Sequence, residues 1–334
     1  MTTWLKTDHD IVGPDVSVYQ DVVDWATMAA RQTNMGFAMC KATQGTTHVD
    51  SKFKTNIIAM SKHLSITSRT FPPPTSPPTT SPYTHPIAIG VYHFANIIPG
   101  QTDADYAQQA DFFFNTVTAH NFTTVTKKYT DAPPRPSTTT LITPTSTITT
   151  TITIKGTLVT TTVTAAHVKP DFWVLDWEDA RGHSLSVTER AKFAKTFVKR
   201  LYNNLKNKFG SSYVPKIFIY VGYYYWGNPD VSVVGNVYEW FGSYGPKLWI
   251  AAYVTNNVLP PAQSDWDVVY NDPTLNVPHF ALPHPPHPPH PPPPPTWSAW
   301  QYTSSASVPG VSGRCDVSVV LSPEVWNSDF YQPP

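Results

Sequence analysis

Charge is scarce in this chain. Asp, Glu, Lys and Arg make up 14% of its 334 residues, against about 25% in an average soluble protein. The 23 basic and 23 acidic residues cancel, so the basic excess expected of a nucleic-acid-binding protein is missing. Cysteine is nearly absent. Cys40 and Cys315 allow one bridge at most, which excludes a disulfide scaffold and a cysteine-based zinc site. No apolar run approaches the ~18 residues needed to span a bilayer. Residues 1–10 contain no apolar h-region and do not read as a signal peptide. Either the protein is cytoplasmic or a leader is missing from this sequence.

Aromatic residues, by contrast, are plentiful at 13%, with 11 Trp and 17 Tyr. Neutral, aromatic-rich proteins often handle sugars, whose CH-rich faces stack on rings. The 35 prolines are about twice the usual share, and they cluster. Residues 64–86 carry Phe71-Pro72-Pro73-Pro74-Thr75-Ser76-Pro77-Pro78. Residues 121–168 carry a Thr-rich run from Thr138 to Thr164. Residues 278–295 carry His284-Pro285-Pro286-His287-Pro288-Pro289-His290 and then five prolines. Such tracts favour polyproline II or disorder, having too little apolar surface to offset the entropy of ordering. In polyproline II, His284, His287 and His290 share one side and could meet a metal. The composition favours a spacer, and no metal site is expected. Ile148 to Val163 alternates apolar residues with Thr, which also reads as β-prone and able to pair at an edge. All three tracts are expected to be low-complexity insertions in surface loops, or untranslated sequence carried in a gene model. Without them about 245 residues remain, close to the ~250 of one (β/α) barrel.

The remainder alternates β-type runs with helical stretches. Val16–Tyr19, Phe37–Lys41, Ile87–Phe94 and Phe172–Trp177 are each followed by a helical segment. Ile217–Val221, Leu248–Tyr253, Ala299–Tyr302 and Cys315–Val319 follow. Eight runs in this order predict an α/β barrel. The clearest helix spans 187–209: Ser186 and Glu189 form a capping box, Phe193, Phe197, Leu201, Leu205 and Phe209 form one stripe, and Gly210 stops it. Thr102 or Asp103 caps an earlier helix whose buried face is Tyr106, Ala110, Phe113 and Val117.

The chemistry concentrates in Val174-Leu175-Asp176-Trp177-Glu178-Asp179, an apolar run that enters an acidic cluster. This puts carboxylates at the C-terminal end of a strand, the catalytic face of a barrel. Strand side chains alternate, so Asp176 and Glu178 point the same way. Two carboxyls on one wall can divide labour, one ionised and one held as an acid, as glycosidic cleavage requires. The plainer reading is a pair of loop caps. Asp15, on the first strand, and Asp316, on the last, become neighbours when the barrel closes; each alone could equally be a turn residue.

The chain closely resembles the lysozymes of glycoside hydrolase family 25, which cleave peptidoglycan after N-acetylmuramic acid. The resemblance lies in blocks that occur in family order: Asp15-Val16-Ser17-Val18-Tyr19-Gln20, Lys41 to Asp50, Gly90-Val91-Tyr92-His93-Phe94-Ala95, Leu175 to Glu178, Ile219 to Gly222, Leu248 to Tyr253, Trp300 to Ser304, Val308 to Val311 and Asp316-Val317-Ser318. They cover nearly all of the chain outside the tracts. The resemblance implies a modified TIM-like (β/α)5(β)3 barrel over residues 10–330. It maps the acid to Glu178, its partner to Asp176, flanking aspartates to Asp15 and Asp316, and a substrate-contacting tyrosine to Tyr92. Tyr220, Tyr253 and Trp300 are expected to line the sugar cleft, the alternative being barrel-wall packing. Gln44 stands where the family usually has Glu, so a charged role there is lost.

The expected activity is net-retaining N-acetylmuramidase action on peptidoglycan glycan strands, by a monomer without cofactor, metal or nucleic-acid partner. Asp176 either attacks the sugar directly or assists its 2-acetamido group; the acetamido group of the substrate favours assistance. A catalytically inactive glycan-binding barrel is the alternative, though Glu178 and all three aspartates are present. A peptidoglycan substrate implies secretion, which one sequon, Asn121-Phe122-Thr123, would suit. Both cysteines are expected to be free, since the first strand should lie between theirs.

Overall fold

The structure is a computed structural model. It describes residues 11–65, 67–71, 83–119, 121–130, 146–154, 157–167, 169–178, 185–222, 245–251, 298–320 and 325–331. In chain order, β1 (Val12–Val16) leads to α1 (Trp25–Arg31), and β2 (Phe37–Gln44) turns back as β3 (His48–Val49) before α2 (Phe53–His63). A ladder of β4 (Ser68–Phe71) and β5 (Tyr83–Pro86) precedes β6 (Ala88–Phe94) and α3 (Asp103–Thr118). Then come β7 (Asn121–Thr130), β8 (Ser146–Ile154), β9 (Thr157–His167), β10 (Phe172–Asp176) and α4 (Val187–Phe209). The last strands are β11 (Ile217–Gly222), β12 (Lys247–Ala251), β13 (Ala299–Ala306) and β14 (Cys315–Val320).

Eight of these strands close into a barrel in the order β1-β14-β13-β12-β11-β10-β6-β2, with β2 pairing back to β1. All neighbours are parallel except β14, which is antiparallel to both β1 and β13. This is the expected α/β barrel, a mixed one with β14 reversed. A helix follows each of β1, β2, β6 and β10. The connections 223–244 and 252–297 lie outside the described residues, and with them the 278–295 tract and Tyr253. Among the described residues no helix is long and apolar enough to cross a membrane.

Alternation decides what fills the barrel. Phe37, Phe172, Phe218 and Trp249 point inward from β2, β10, β11 and β12 and meet Phe330, which enters from the end of the chain. Ring centroids in this cluster are 4.6 to 6.2 Å apart, many edge to face, the geometry that opposed ring quadrupoles favour. Two glycines make room for the rings. A Cβ on Gly13 would come within 2.3 Å of Phe37, and one on Gly90 within 2.1 Å of Phe172. Fully burying each large apolar side chain is worth about 1.5–3 kcal/mol, so this layer is a rigid floor. Further along β2, β10 and β11 the inward positions turn polar, at Lys41, Asp176 and Tyr220.

The expected helix signals are present. Ser186 and Glu189 form the capping box, and Phe193, Phe197, Leu201 and Leu205 are buried. Gly210 ends α4 with φ 96°. The Thr102 and Asp105 side chains cap α3, and its stripe Tyr106, Ala110, Phe113 and Val117 is buried.

The first strand begins earlier than expected. It runs Val12–Val16, and Val18–Gln20 is a 3-10 turn instead of strand. Ser17 N donates to Gln20 Oε1 at 2.8 Å, and the Ser17 hydroxyl accepts from Tyr19 N. This local capping outcompetes the strand after Val16. Pro14 sits within the β1–β14 ladder, paired with Val317.

Two tracts expected to favour polyproline II or disorder contain strands. Within 64–86, β4 pairs with β5 from Ser68↔Pro86 to Phe71↔Tyr83. Arg69 Nη2 donates to the carbonyls of Ala29 and Gln32, and His85 stacks on Tyr331 at 3.8 Å. Within 121–168, β7, β9 and β8 form a three-stranded antiparallel sheet. The β-prone alternation of Thr and apolar residues prevails there. The chain divides into two compact units, one of Met1–Phe114 with Pro170–Pro334 and one of Asn115–Lys169.

Candidate active site

At the C-terminal end of the parallel strands the barrel opens into a cavity of about 280 Å3. Its lining follows from the alternation that fills the floor. Asp15 lies two positions beyond Gly13 on β1, Lys41 beyond Met39 on β2, Tyr92 beyond Gly90 on β6, and Asp176 beyond Val174 on β10, with Tyr220 on β11 and Gln301 on β13. Glu178 follows the end of β10. The reversed β14 brings its first residues to this rim, where Asp316 pairs with Asp15. Four carboxyls, from Asp15, Asp176, Glu178 and Asp316, thus share one cavity.

All four acids are raised above their ordinary range. Burial is the largest cause for each. For Asp176 the charges of Glu178 and Asp15 add to it, and Lys41 works against it. For Asp15 the charge of Asp316 raises, and the hydrogen bond from Gln301 lowers. Asp316 is pushed up to about 6, with the charge of Glu178 as the second cause. On Glu178 a hydrogen bond with Tyr220 opposes the effect of burial. Like charges this close cannot all ionise near neutral pH, so one or more remains a proton donor.

The polar contacts are directional. Tyr220 Oη donates to Gln301 Oε1 at 2.7 Å, and Gln301 Nε2 donates to Asp15 Oδ2 at 2.9 Å. Lys41 Nζ donates to Gln44 Oε1 at 2.9 Å and lies 4.6 Å from the centroid of the Phe94 ring. Gln44 thus anchors a lysine without carrying a charge. Asp50 accepts from Val18 N at 2.9 Å and from Lys52 N at 2.8 Å, pinning the 3-10 turn. That turn leaves Tyr19 87% exposed at the edge of the cavity. Asp176 Oδ1 is buried with no partner among the described residues, although a buried carboxylate oxygen ordinarily finds a donor.

Of the expected site residues, Asp15, Tyr92, Asp176, Glu178, Tyr220 and Asp316 all line the cavity. Trp300 does not. Gln301 faces inward, so its neighbour Trp300 points to the outside of the barrel wall, buried and 6.1 Å from Tyr302. Trp300 takes the alternative role, barrel-wall packing. Tyr253 lies outside the described residues. Gln301, Lys41 and Tyr19 also line the cavity. All three lie within the matched blocks, and the period-two count that places Asp15 inward would have singled out Gln301.

His93 is no part of the site. It faces outward, where Nε2 donates to Gln109 Oε1 at 3.2 Å and Nδ1 accepts from Thr43 Oγ1 at 2.8 Å. Burial pushes it down to about 3, so it stays neutral. Among the described residues no group of His, Cys, Asp and Glu is arranged to hold a metal ion.

An α/β barrel with one reversed strand and an acidic cavity at the strand ends is thus what fold and site define. The barrel shares its fold with the catalytic domain of a solved phage endolysin and with a solved glycosyl hydrolase of family 25. The catalytic domain of endolysin ply40 from bacteriophage P40 of Listeria monocytogenes matches with a TM-score of 0.51 at 14% identity, over 96% of this chain and 98% of that one. GHIP, a glycosyl hydrolase 25 of Streptococcus pneumoniae described as a virulence factor participating in host cell invasion, matches with a TM-score of 0.51 at 14% identity, over 98% and 94%. No family model and no curated protein matches the sequence.

Proposed function

We propose that this protein is a glycoside hydrolase of the lysozyme type, cleaving the β-1,4 bond between N-acetylmuramic acid and N-acetylglucosamine in peptidoglycan with net retention. The observation that carries the reading is the pair of Asp176, the last residue of β10, and Glu178, two positions beyond it, which share a cavity whose burial favours the protonated form of both. The shared fold with a phage endolysin's catalytic domain and a family 25 glycosyl hydrolase supports it.

In this reading Glu178 protonates the leaving oxygen and then takes a proton from the attacking water. Asp176 orients the 2-acetamido group as internal nucleophile. Its unpartnered Oδ1 is suited to accept the acetamido N–H and to stabilise the positive charge that develops there. Asp15, Asp316, Tyr92 and Tyr220 contact the substrate. The barrel spans residues 10–330, with 64–86, 121–168 and 278–295 as insertions, and the enzyme acts as a secreted monomer. Digestion of purified peptidoglycan tests the assignment, with new reducing ends identified and their initial anomer read by proton NMR. N-acetylmuramic acid ends appearing first as the β-anomer are expected. Intact glycan, N-acetylglucosamine ends or an initial α-anomer would overturn it.

A further inference from the structure

The turn that follows β1 is fastened within itself and to a loop on either side. Inside it, Ser17 N donates to Gln20 Oε1 at 2.8 Å, and Asp21 N donates to the carbonyl of Val18 at 3.2 Å. Just beyond β3, Asp50 accepts from Val18 N at 2.9 Å, and Lys52 forms an ion pair with Asp21. In the connection between β13 and β14, the carbonyl of Arg314 accepts from Gln20 Nε2 at 3.2 Å, and that of Gly310 accepts from Asp24 N at 2.8 Å. These bonds hold Asp21 at φ 52°, a backbone that a residue other than glycine keeps only where its surroundings over-determine it. What this pinned turn presents is a bare aromatic ring. Of the seven large apolar side chains exposed among the described residues, Val18, Tyr19 and Val22 lie in it, and Tyr19 is the one aromatic. Scattered exposed apolar residues are ordinary. Tyr19 differs because it also lines the cavity that holds the four carboxyls.

We propose that Tyr19 is a carbohydrate platform at the mouth of the cavity: its ring takes the CH-rich face of an N-acetylhexosamine of the glycan strand, outside the two sugars that flank the scissile bond. The proposal rests on the reading of the cavity as a glycan-cleaving site. Sugar faces stack on aromatic rings, and an uncharged sugar avoids the repulsion that the carboxyls would exert on an anionic ligand. A tyrosine has few torsions to freeze, and its backbone is already ordered here, so stacking costs little further entropy. The ring supplies affinity and sets the register of the strand. It exchanges no proton with the reacting groups.

The test substitutes Tyr19 in the full chain and reads both turnover and binding. The side chain is 87% exposed, so its replacement should leave the fold intact. On soluble glycan strands of alternating N-acetylglucosamine and N-acetylmuramic acid, Tyr19→Ala is expected to raise KM about tenfold, the scale of one stacked aromatic contact, with the loss falling on KM and not on kcat. Tyr19→Trp keeps an aromatic face and should stay near wild type. Tyr19→Leu keeps an apolar side chain without that face and should behave as Tyr19→Ala. Calorimetric binding of a glycan fragment to Glu178→Gln, which leaves the fragment uncut, should weaken by the same factor when Tyr19→Ala is added. An unchanged KM in Tyr19→Ala, a loss confined to kcat, or wild-type behaviour of Tyr19→Leu would overturn the platform while leaving the hydrolase reading in place. A protein without lytic activity whose glycan binding still depends on Tyr19 would overturn the hydrolase reading and keep the platform. Absence of glycan binding in the Glu178→Gln protein would overturn the platform.

Discussion

Replacing Asp316 by Asn should stabilise the protein at neutral pH while harming its site. Asp316 shares a cavity with Asp15, Asp176 and Glu178, and burial together with the charge of Glu178 raises its carboxyl from 3.8 to about 6. A carboxyl whose folded-state value lies above its unfolded one binds more protons when folded. The stability this confers is complete below about pH 4 and is lost as pH rises through about 6. Roughly two units at 1.36 kcal/mol each give about 3 kcal/mol; partial solvent access reduces this to about 2 kcal/mol. Asparagine has a similar shape and no charge to desolvate. Asp316→Asn should therefore exceed wild type by about 2 kcal/mol at pH 8 and match it near pH 4. Urea unfolding at the two pH values measures the difference, and in a barrel of this size the melting temperature at pH 8 should rise by about 4–8 °C. Equal effects at pH 4 and pH 8, or destabilisation at pH 8, would refute the view that the cavity forces its carboxyls to compete.

Asp176→Asn is expected to lose hydrolysis by orders of magnitude while retaining glycan binding, measured by lysis beside calorimetric binding of a glycan fragment. A glycosyl adduct trapped on Asp176 would replace assistance by direct attack. Cys40 and Cys315 are both buried and unbridged, and burial raises both thiols. Both should resist a thiol reagent in the folded protein and react in denaturant without prior reduction. Replacing 121–168 by a short Gly/Ser bridge is expected to leave lysis within a few-fold of wild type, since 115–169 forms a compact unit of its own; an unfolded product by circular dichroism would show that unit to be structural.

Much of the barrel was legible because its cues are local and periodic. The Ser186–Glu189 box, the stripe from Phe193 to Leu205 and the D-x-E step at Asp176 need only neighbours a few residues away. Closure of the first strand against the last could be reasoned from barrel geometry, and Asp15 indeed pairs with Asp316. Other features depended on distant partners. The start of β1 at Val12 shows only once β14 is known to pair with it, Val12 facing Val319 and Pro14 facing Val317. The packing of Phe330 into the floor depends on a ring cluster drawn from four strands. Trp300 was misplaced because an aromatic beside a motif attracts a functional role, whereas the inward register of Gln301 settles the face. The strands in the Thr tract followed the β-propensity of alternating Thr and Ile instead of the disorder suggested by the flanking prolines.

Central to the account is a proton held by Glu178. The most direct measurement compares wild type and Glu178→Gln in clearing a suspension of bacterial cell walls, with folding verified by circular dichroism. The glutamine keeps the shape and the contact with Tyr220 but has no proton to deliver. Loss of general acid–base catalysis should lower the rate by about 10²–10⁴-fold, with the fold and glycan binding retained. Wild-type-like clearing by Glu178→Gln would contradict the account.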